Sequence, residues 1–262
     1  MKTAINIKPA VTDQFTVVGE VGWYGATFIW LYNDSIQGMV SYYFDNEPEY
    51  AKASHLKEIV KKHYSNTNVP AYLFYNFFES SLIPKEFYKV QKEAEMLEPI
   101  FDYSANATIL TDESDDLMNI YAVPSGLHQF ILENNIHWKH SGTCQHSLDD
   151  NVYCIFYNNA LKLVLHKNDQ VHLIQQFGFR SAHEAAYHIL NACRQCDIQP
   201  SEEKLVIAGM IDQDSPMFKE LRKYFNEITF AEQETPVTKN IALSAYPDHF
   251  FHHLISQLAC VS

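Results

Sequence analysis

Between Val152 and Phe225 the residue pattern leaves few ways to fold. Val152-Tyr-Cys-Ile-Phe-Tyr157 is rich in strand formers and stops at Asn158-Asn159, a pair that tolerates the left-handed backbone of a tight hairpin. Leu161, Leu163 and Leu165 alternate with Lys162, Val164 and His166, which predicts a second strand with one better-buried face. A turn follows at Lys167-Asn-Asp169, and Val171 to Phe179 returns as a third strand. Ser181 with Glu184 three residues on is a capping box, in which hydroxyl and carboxylate satisfy orphan amides at a helix start. The helix carries Ala182, Ala186, Ile189 and Cys193 on one face, with Ala185 and Leu190 beside them. Leu205-Val-Ile-Ala-Gly209 predicts a strand covered on both faces, and Ser215-Pro216 opens a helix burying Met217, Phe218, Leu221 and Phe225.

The first half of the chain has the same grammar. Phe15 to Val21, Ala26 to Tyr32 and Gly38 to Phe44 read as strands, and Pro48 begins a helix with Leu56, Ile59, Val60 and Tyr64 inward. Pro70 to Phe78 is aromatic and extended, Ser81 to Pro84 a turn, and Glu86 to Met96 helical. Ala105 to Asp116 reads as a loop or weak hairpin, its acids solvated, and is the expected mobile segment. Asn119 to Val123 reads as a buried strand, Ser125 as the cap of a helix with Leu127, Phe130 and Ile131 inward, and Ile136 to Lys139 as a short strand. Each half thus runs strand, strand, strand, helix, strand, helix, strand, helix, the fourth strands being Asn119–Val123 and Leu205–Gly209. Such an order gives a mixed sheet flanked by helices. The expected division is a first lobe at 1–148, with an insert at about 66–117, and a second lobe at 149–262.

Bulk properties remove several classes of function. A formal charge of −13 argues against nucleic acid, because a phosphate backbone needs a concentrated basic face. The apolar windows are short and broken, so no transmembrane segment is expected, and Met1 to Ala10 lacks the apolar core of a secretion signal. Five cysteines thinly spread point to reduced thiols and a cytoplasmic location.

This element order resembles the actin-like ATPase (ribonuclease H-like) superfamily. More narrowly it resembles an uncharacterised bacterial family, a domain of unknown function with that fold, and more distantly the actin-like protein of the type IV pilus assembly platform. The likeness implies a duplicated two-lobed α/β fold. Active members of the superfamily carry an Asp-x-Gly followed by hydroxyl residues at the first hairpin of each half. Glycine lets the backbone approach phosphate, hydroxyls bind it, and the carboxylate holds the magnesium shell. Here Glu20-Val-Gly22 copies the acid-x-glycine spacing, but Trp23 and Tyr24 stand where small hydroxyl residues belong. Ile155-Phe-Tyr-Asn-Asn-Ala160 has no acid and no glycine at all. Of the family's adenosine-binding glycine pair only Gly209 remains, followed by Asp212 and Ser215; a tight strand-to-helix turn accounts for Gly209 and Ser215 equally well. Glu20, Gly22, Gly209, Asp212 and Ser215 are therefore the candidates for a degenerate nucleotide cleft, with no cofactor expected.

Other constellations read as structural. Cys193-Arg-Gln-Cys196 is a lone pair on an apolar helix face, so core thiols. His183 and His188 point about 140° apart on a helix and cannot share an ion. His249, His252 and His253 read as a solvated face, and His137, His140 and His146 show no ligand spacing, so no metal is expected. The aromatic run in the insert suggests a protein-partner surface at Tyr72, Tyr75 and Phe77. Two functions follow from the resemblance and these residues: a non-catalytic actin-like scaffold binding an unknown protein, or a weak nucleotide or small-ligand binder, or kinase-like enzyme, using Glu20, Gly209 and Asp212.

Overall fold

The computed structural model describes the chain except residues 10–14, 34, 46, 65–69, 115, 146–151, 169, 233–237 and 261–262. The expected lobe boundary at 148–149, the insert start at 66, Asp169 of the predicted turn and His146 lie outside the described residues. Two compact units form. One holds Met1–Cys144, Thr238–Leu243 and the chain end from Cys260; the other holds Gln145–Val237 and Ser244–Ala259.

In chain order the first unit runs β1 (Lys2–Ile7), β2 (Thr16–Gly22), β3 (Gly25–Tyr32), β4 (Ser35–Tyr43), α1 (Glu49–Tyr64), β5 (Ala71–Tyr75), β6 (Ser80–Pro84), α2 (Glu93–Leu97), β7 (Ala107–Ser114), β8 (Leu117–Pro124), α3 (Ser125–Glu133), β9 (His137–His140) and α4 (Ser141–Gln145). The main sheet has the order β1-β4-β3-β2-β5-β9, with Thr238–Lys239 added alongside β4. β2, β3 and β4 form an antiparallel meander, while β5 and β9 join parallel, as crossovers through helices require. Leu56, Ile59, Val60 and Tyr64 of α1 and Leu127, Phe130 and Ile131 of α3 pack one core with Val17, Val21, Phe28, Leu73 and Tyr75. A separate three-stranded sheet, β6-β8-β7, has its own small core of Leu97, Ile120 and Ala122.

The second unit runs β10 (Val152–Phe156), β11 (Ala160–Lys167), β12 (Gln170–Gly178), α5 (Ala182–Gln195), β13 (Lys204–Gly209), α6 (Pro216–Leu221), β14 (Glu227–Phe230) and α7 (His252–Leu258). Its sheet order is β12-β11-β10-β13-β14, the same as β4-β3-β2-β5-β9. β13 pairs parallel with β10 as β5 does with β2. Two sequence signals set the helix starts as expected: the Ser181 hydroxyl accepts from Glu184 N at 3.2 Å, and the Ser215 hydroxyl from Phe218 N at 3.1 Å.

The equivalence of halves holds, but with a different fourth strand. β5, not Asn119–Val123, occupies the place that β13 holds; Asn119–Val123 is part of β8 in the additional sheet. Ala105–Asp116, expected as a loop or weak hairpin, forms β7, paired with β8 over eight positions from Ala107↔Pro124 to Ser114↔Leu117. Ser81–Pro84 is a strand rather than a turn. Glu86–Met96 is not one helix: a 3-10 turn at Lys85–Phe87 and the short α2 are separated by Gln91 at φ 63°. Ser125 does not cap α3; its hydroxyl bonds Thr108 at 2.8 Å. The N-terminal strand β1, which pairs β4, was not anticipated.

Candidate functional site

In the first unit, Glu20 and Gly22 sit at the end of β2 beside the chain leaving β5. The Glu20 carboxylate is buried to 3% exposure and accepts from Asn76 Nδ2 at 3.1 Å. The Asn76 amide donates to Val21 O at 2.7 Å, and its carbonyl lies where a Cβ on Gly22 would stand, 2.0 Å away. Gly22 is thus required by a backbone contact within the fold. Ser141 Oγ reaches Tyr75 O and Asn76 Oδ1, both at 3.0 Å, which ties the ends of β2, β5 and β9 together. Trp23, in the turn after Gly22, points inward: its ring packs edge-on against Phe77 at 4.9 Å. The polar groups at these strand ends are therefore bonded to one another.

A second buried network adjoins it. Asn119 Nδ2 meets His140 Nδ1 at 3.0 Å and donates to Thr143 Oγ1 at 2.9 Å. Asp112 accepts from the Tyr121 hydroxyl at 3.0 Å and from the His140 amide at 2.5 Å. Burial raises the Asp112 carboxyl, and these donors pull it partly back. Asp112 was expected to be solvated; the alternation of β7 instead turns it inward.

In the second unit, Gly209 has φ +82°, and a Cβ there would stand 2.2 Å from Phe156 O. The next amide, Met210 N, donates to that same oxygen at 2.7 Å. Ser215 spends its hydroxyl on the α6 cap, and its amide donates to Asp212 O at 3.0 Å. The Asp212 side chain is exposed. Glu20 and Gly22 thus lie together in one unit, and Gly209, Asp212 and Ser215 share one turn in the other.

The aromatic candidates divide. Tyr75 and Phe77 are 0% and 1% exposed, and Tyr75 bonds His128 at 3.0 Å within the core, so neither presents a surface. Tyr72 is half-buried and stacks on His137. The reason is the assignment of β5 to the main sheet, where both faces are covered. The histidines of the chain end are likewise not a solvated face. His249 is buried, 4.1 Å from the Phe230 ring and bonded to Ile211 O, and His253 is buried too. His252 meets the Tyr153 hydroxyl at 2.8 Å, and burial pushes it down to about 4. Cys193 is a buried free thiol, pushed up to about 12 by burial, and Cys196 is half-buried. Cys144 and Cys260 form a disulfide, against the expectation of reduced thiols throughout. Among the described residues, no group of three or more His, Cys, Asp or Glu is placed to hold a metal ion, and no helix is long and apolar enough to cross a membrane.

Sequence reasoning missed Glu79. This carboxylate is 2% exposed at the edge of a cavity of about 380 Å³ lined also by Trp23, Glu49, Tyr50, Tyr103 and Gly126. The Trp23 indole N–H lies 2.8 Å from each of its oxygens, and burial lifts its carboxyl to about 7. Only its place among the aromatics of Tyr72–Phe78 hinted at burial.

Residues 31–228 match the model of a family described as a protein of unknown function (DUF3822). No curated protein matches. Among solved structures, a Bacteroides thetaiotaomicron protein with an actin-like ATPase fold and unknown function is 15% identical, with 89% of this chain and 95% of that chain covered and a TM-score of 0.67. The PilM-PilN type IV pilus biogenesis complex matches at 11% identity, 94% and 98% coverage and TM-score 0.52. The cytoplasmic domain of EpsL, an inner membrane component of the Vibrio cholerae type II secretion system, matches at 8% identity, 95% coverage of each chain and TM-score 0.50. The chain has the actin-like ATPase fold.

Proposed function

Given that the chain belongs to the DUF3822 family of proteins of unknown function, we propose from its own residues that it is a cytoplasmic, non-catalytic actin-like scaffold that holds another protein, its nucleotide site degenerate. In this reading the lobes are 1–148 and 149–262, and within the insert at about 66–117 the part that follows β5 carries the partner surface.

The carrying observation is Trp23. Where the superfamily needs a small, hydroxylated phosphate loop, this hairpin folds an indole inward, 8% exposed, against Phe77 and Glu79. Glu20, the one acid at the right spacing, is engaged by Asn76. Neither group is disposed to receive a phosphate or its magnesium. The insert in turn exposes apolar side chains, with Phe87 at 61%, Val90 at 73% and Ile100 at 58%. Apolar groups displayed on an appended segment suit a protein partner. The PilM-PilN complex offers a precedent for partner binding on this fold, as an analogy.

The alternative keeps a weak nucleotide or small-ligand binder, or kinase-like enzyme, using Glu20, Gly209 and Asp212. A thermal-shift titration with ATP and magnesium separates the two. A nucleotide at ~100 times its Kd stabilises by ~2.7 kcal/mol. No shift at millimolar nucleotide is expected. A shift lost on Glu20→Gln or Asp212→Asn overturns the scaffold reading.

A further inference from the structure

We propose that the cavity beside Glu79 binds a small organic amine, its ammonium against the Glu79 carboxylate and its apolar body along the cavity wall. This goes beyond the scaffold reading and does not depend on it.

The volume, about 380 Å³, falls in the ~300–1,000 Å³ range of small-molecule sites. Its charged lining is two carboxylates, Glu79 and Glu49, with no lysine, arginine or histidine among the described lining residues. Glu79 is nearly inaccessible, and both its oxygens take one indole N–H. An ionised carboxylate offers about four acceptor sites, so the indole N–H and its own backbone amide still leave a buried charge under-served. Burial accordingly holds this carboxyl at about 7; its own backbone amide and the Trp23 hydrogen bond pull it partly back, and the charge of Glu49 adds to the rise. An ammonium supplies both the missing donors and the missing charge.

A second observation points the same way. The Tyr103 hydroxyl, on another wall of the cavity, is buried without a hydrogen-bond partner. A hydroxyl accepts readily from an ammonium, and an orphaned buried hydroxyl is costly without some such partner. Trp23 and Tyr50 bring aromatic rings, which favour cations over their faces. Ala53, Ala107, Ala122 and Val123 give the wall an apolar stretch for a carbon skeleton, beside the neutral polar Ser104, Asn106 and Ser125. Glu79 is held in place by its own backbone, whose carbonyl accepts from Ala122 N at 2.9 Å.

Titration calorimetry of the full chain with 2-phenylethylamine and cadaverine tests the site, with 2-phenylethanol and 3-phenylpropionate as neutral and anionic counterparts. An amine should bind at least about ten-fold more tightly than its counterparts, and Glu79→Gln should weaken it by a similar factor. Gly126→Leu serves as a second variant, because Gly126 lines the cavity and a Cβ there meets nothing within 4 Å, so a larger side chain can be added to the lining without a clash. It should block the amine while leaving the melting temperature within a few degrees. Should Glu79→Gln fail to fold, Gly126→Leu and the amine-to-alcohol ratio on the unaltered protein decide. Absence of binding by both amines overturns the proposal, as does an affinity equal to that of the alcohol or unchanged in Gly126→Leu.

Discussion

The Trp23 indole nitrogen lies 2.8 Å from each oxygen of the Glu79 carboxylate, across 56 residues of sequence. That contact joins the first hairpin of the fold to the chain entering the additional sheet, and it makes stability depend on pH. Burial raises the Glu79 carboxyl to about 7, above the ~4.3 of an unfolded glutamate. Between those values the folded state holds the extra proton. Its contribution is therefore full below the unfolded value and is lost as pH rises through about 7. The difference is about 3–4 kcal/mol over the window. His63 and His252, pushed down to about 4 by burial, act oppositely, destabilising the fold as pH falls below ~6.5. Glu79→Gln keeps an acceptor for Trp23 and removes the titration. Urea midpoints for both proteins from pH 4.5 to 8 should show the variant gaining relative to the parent up to about 7 and level above. A constant difference would contradict the buried carboxyl.

The two glycines of the supposed cleft make a sharper test of what they are for. A Cβ at Gly22 meets Asn76 O at 2.0 Å, and one at Gly209 meets Phe156 O at 2.2 Å with φ +82°. Backbone cannot yield as a flexible side chain does, so Gly22→Ala and Gly209→Ala should each cost about 1–3 kcal/mol by denaturant unfolding, without any nucleotide present. Glycines kept only for phosphate approach would tolerate alanine at no cost to stability.

How much of this was legible follows the same physics. The duplicated order β2-β3-β4 and β10-β11-β12 was readable because each strand has a hydrophobic pattern and each turn its own residues. Helix starts at Ser181 and Ser215 were readable because capping is local chemistry. The fourth strand of the first unit was misplaced because Ala71–Tyr75 and Asn119–Val123 are both short, mostly apolar runs, and pattern alone does not say which sheet a strand joins. β7 was missed because Asp112 and Glu113 are poor strand formers individually; pairing with β8 overrides propensity. His249 and Asp112 were placed in solvent on polarity, yet inside the fold His249 bonds Ile211 O and Asp112 accepts from the Tyr121 hydroxyl and the His140 amide; His253 is buried too. Glu79 depended on contacts 56 residues away, which no local window contains.

The disulfide between Cys144 and Cys260 closes a loop with a sequence separation of 116. Chain-entropy arguments give about 4–5 kcal/mol for a loop near that length. Cys260→Ser should lower the denaturant midpoint accordingly, and reducing agent should reproduce the loss in the parent but not in the variant. Alkylation before lysis, followed by mass spectrometry, would report whether the pair is joined in its own compartment. Two free thiols at those positions would place the protein among reduced cytosolic chains.

The last expectation separates core aromatics from displayed ones. Tyr75 and Phe77 are buried at 0% and 1% exposure in the first unit, whereas Phe87 is 61% exposed in the insert. Deleting a buried ring costs its transfer energy and leaves a cavity, so Phe77→Ser should lose roughly 3–5 kcal/mol. Phe87→Ser removes a ring that is already largely in water and should change stability by no more than about 0.5 kcal/mol. Tyr72, half-buried against His137, should fall between them on Tyr72→Ser. If the scaffold reading holds, Phe87→Ser and Ile100→Ser should also weaken whatever partner crosslinks to the folded protein, with thermal melts superimposable on the parent. A large stability loss from Phe87→Ser would mean that the insert uses this ring for its own packing, and the proposed partner surface would have to be sought elsewhere.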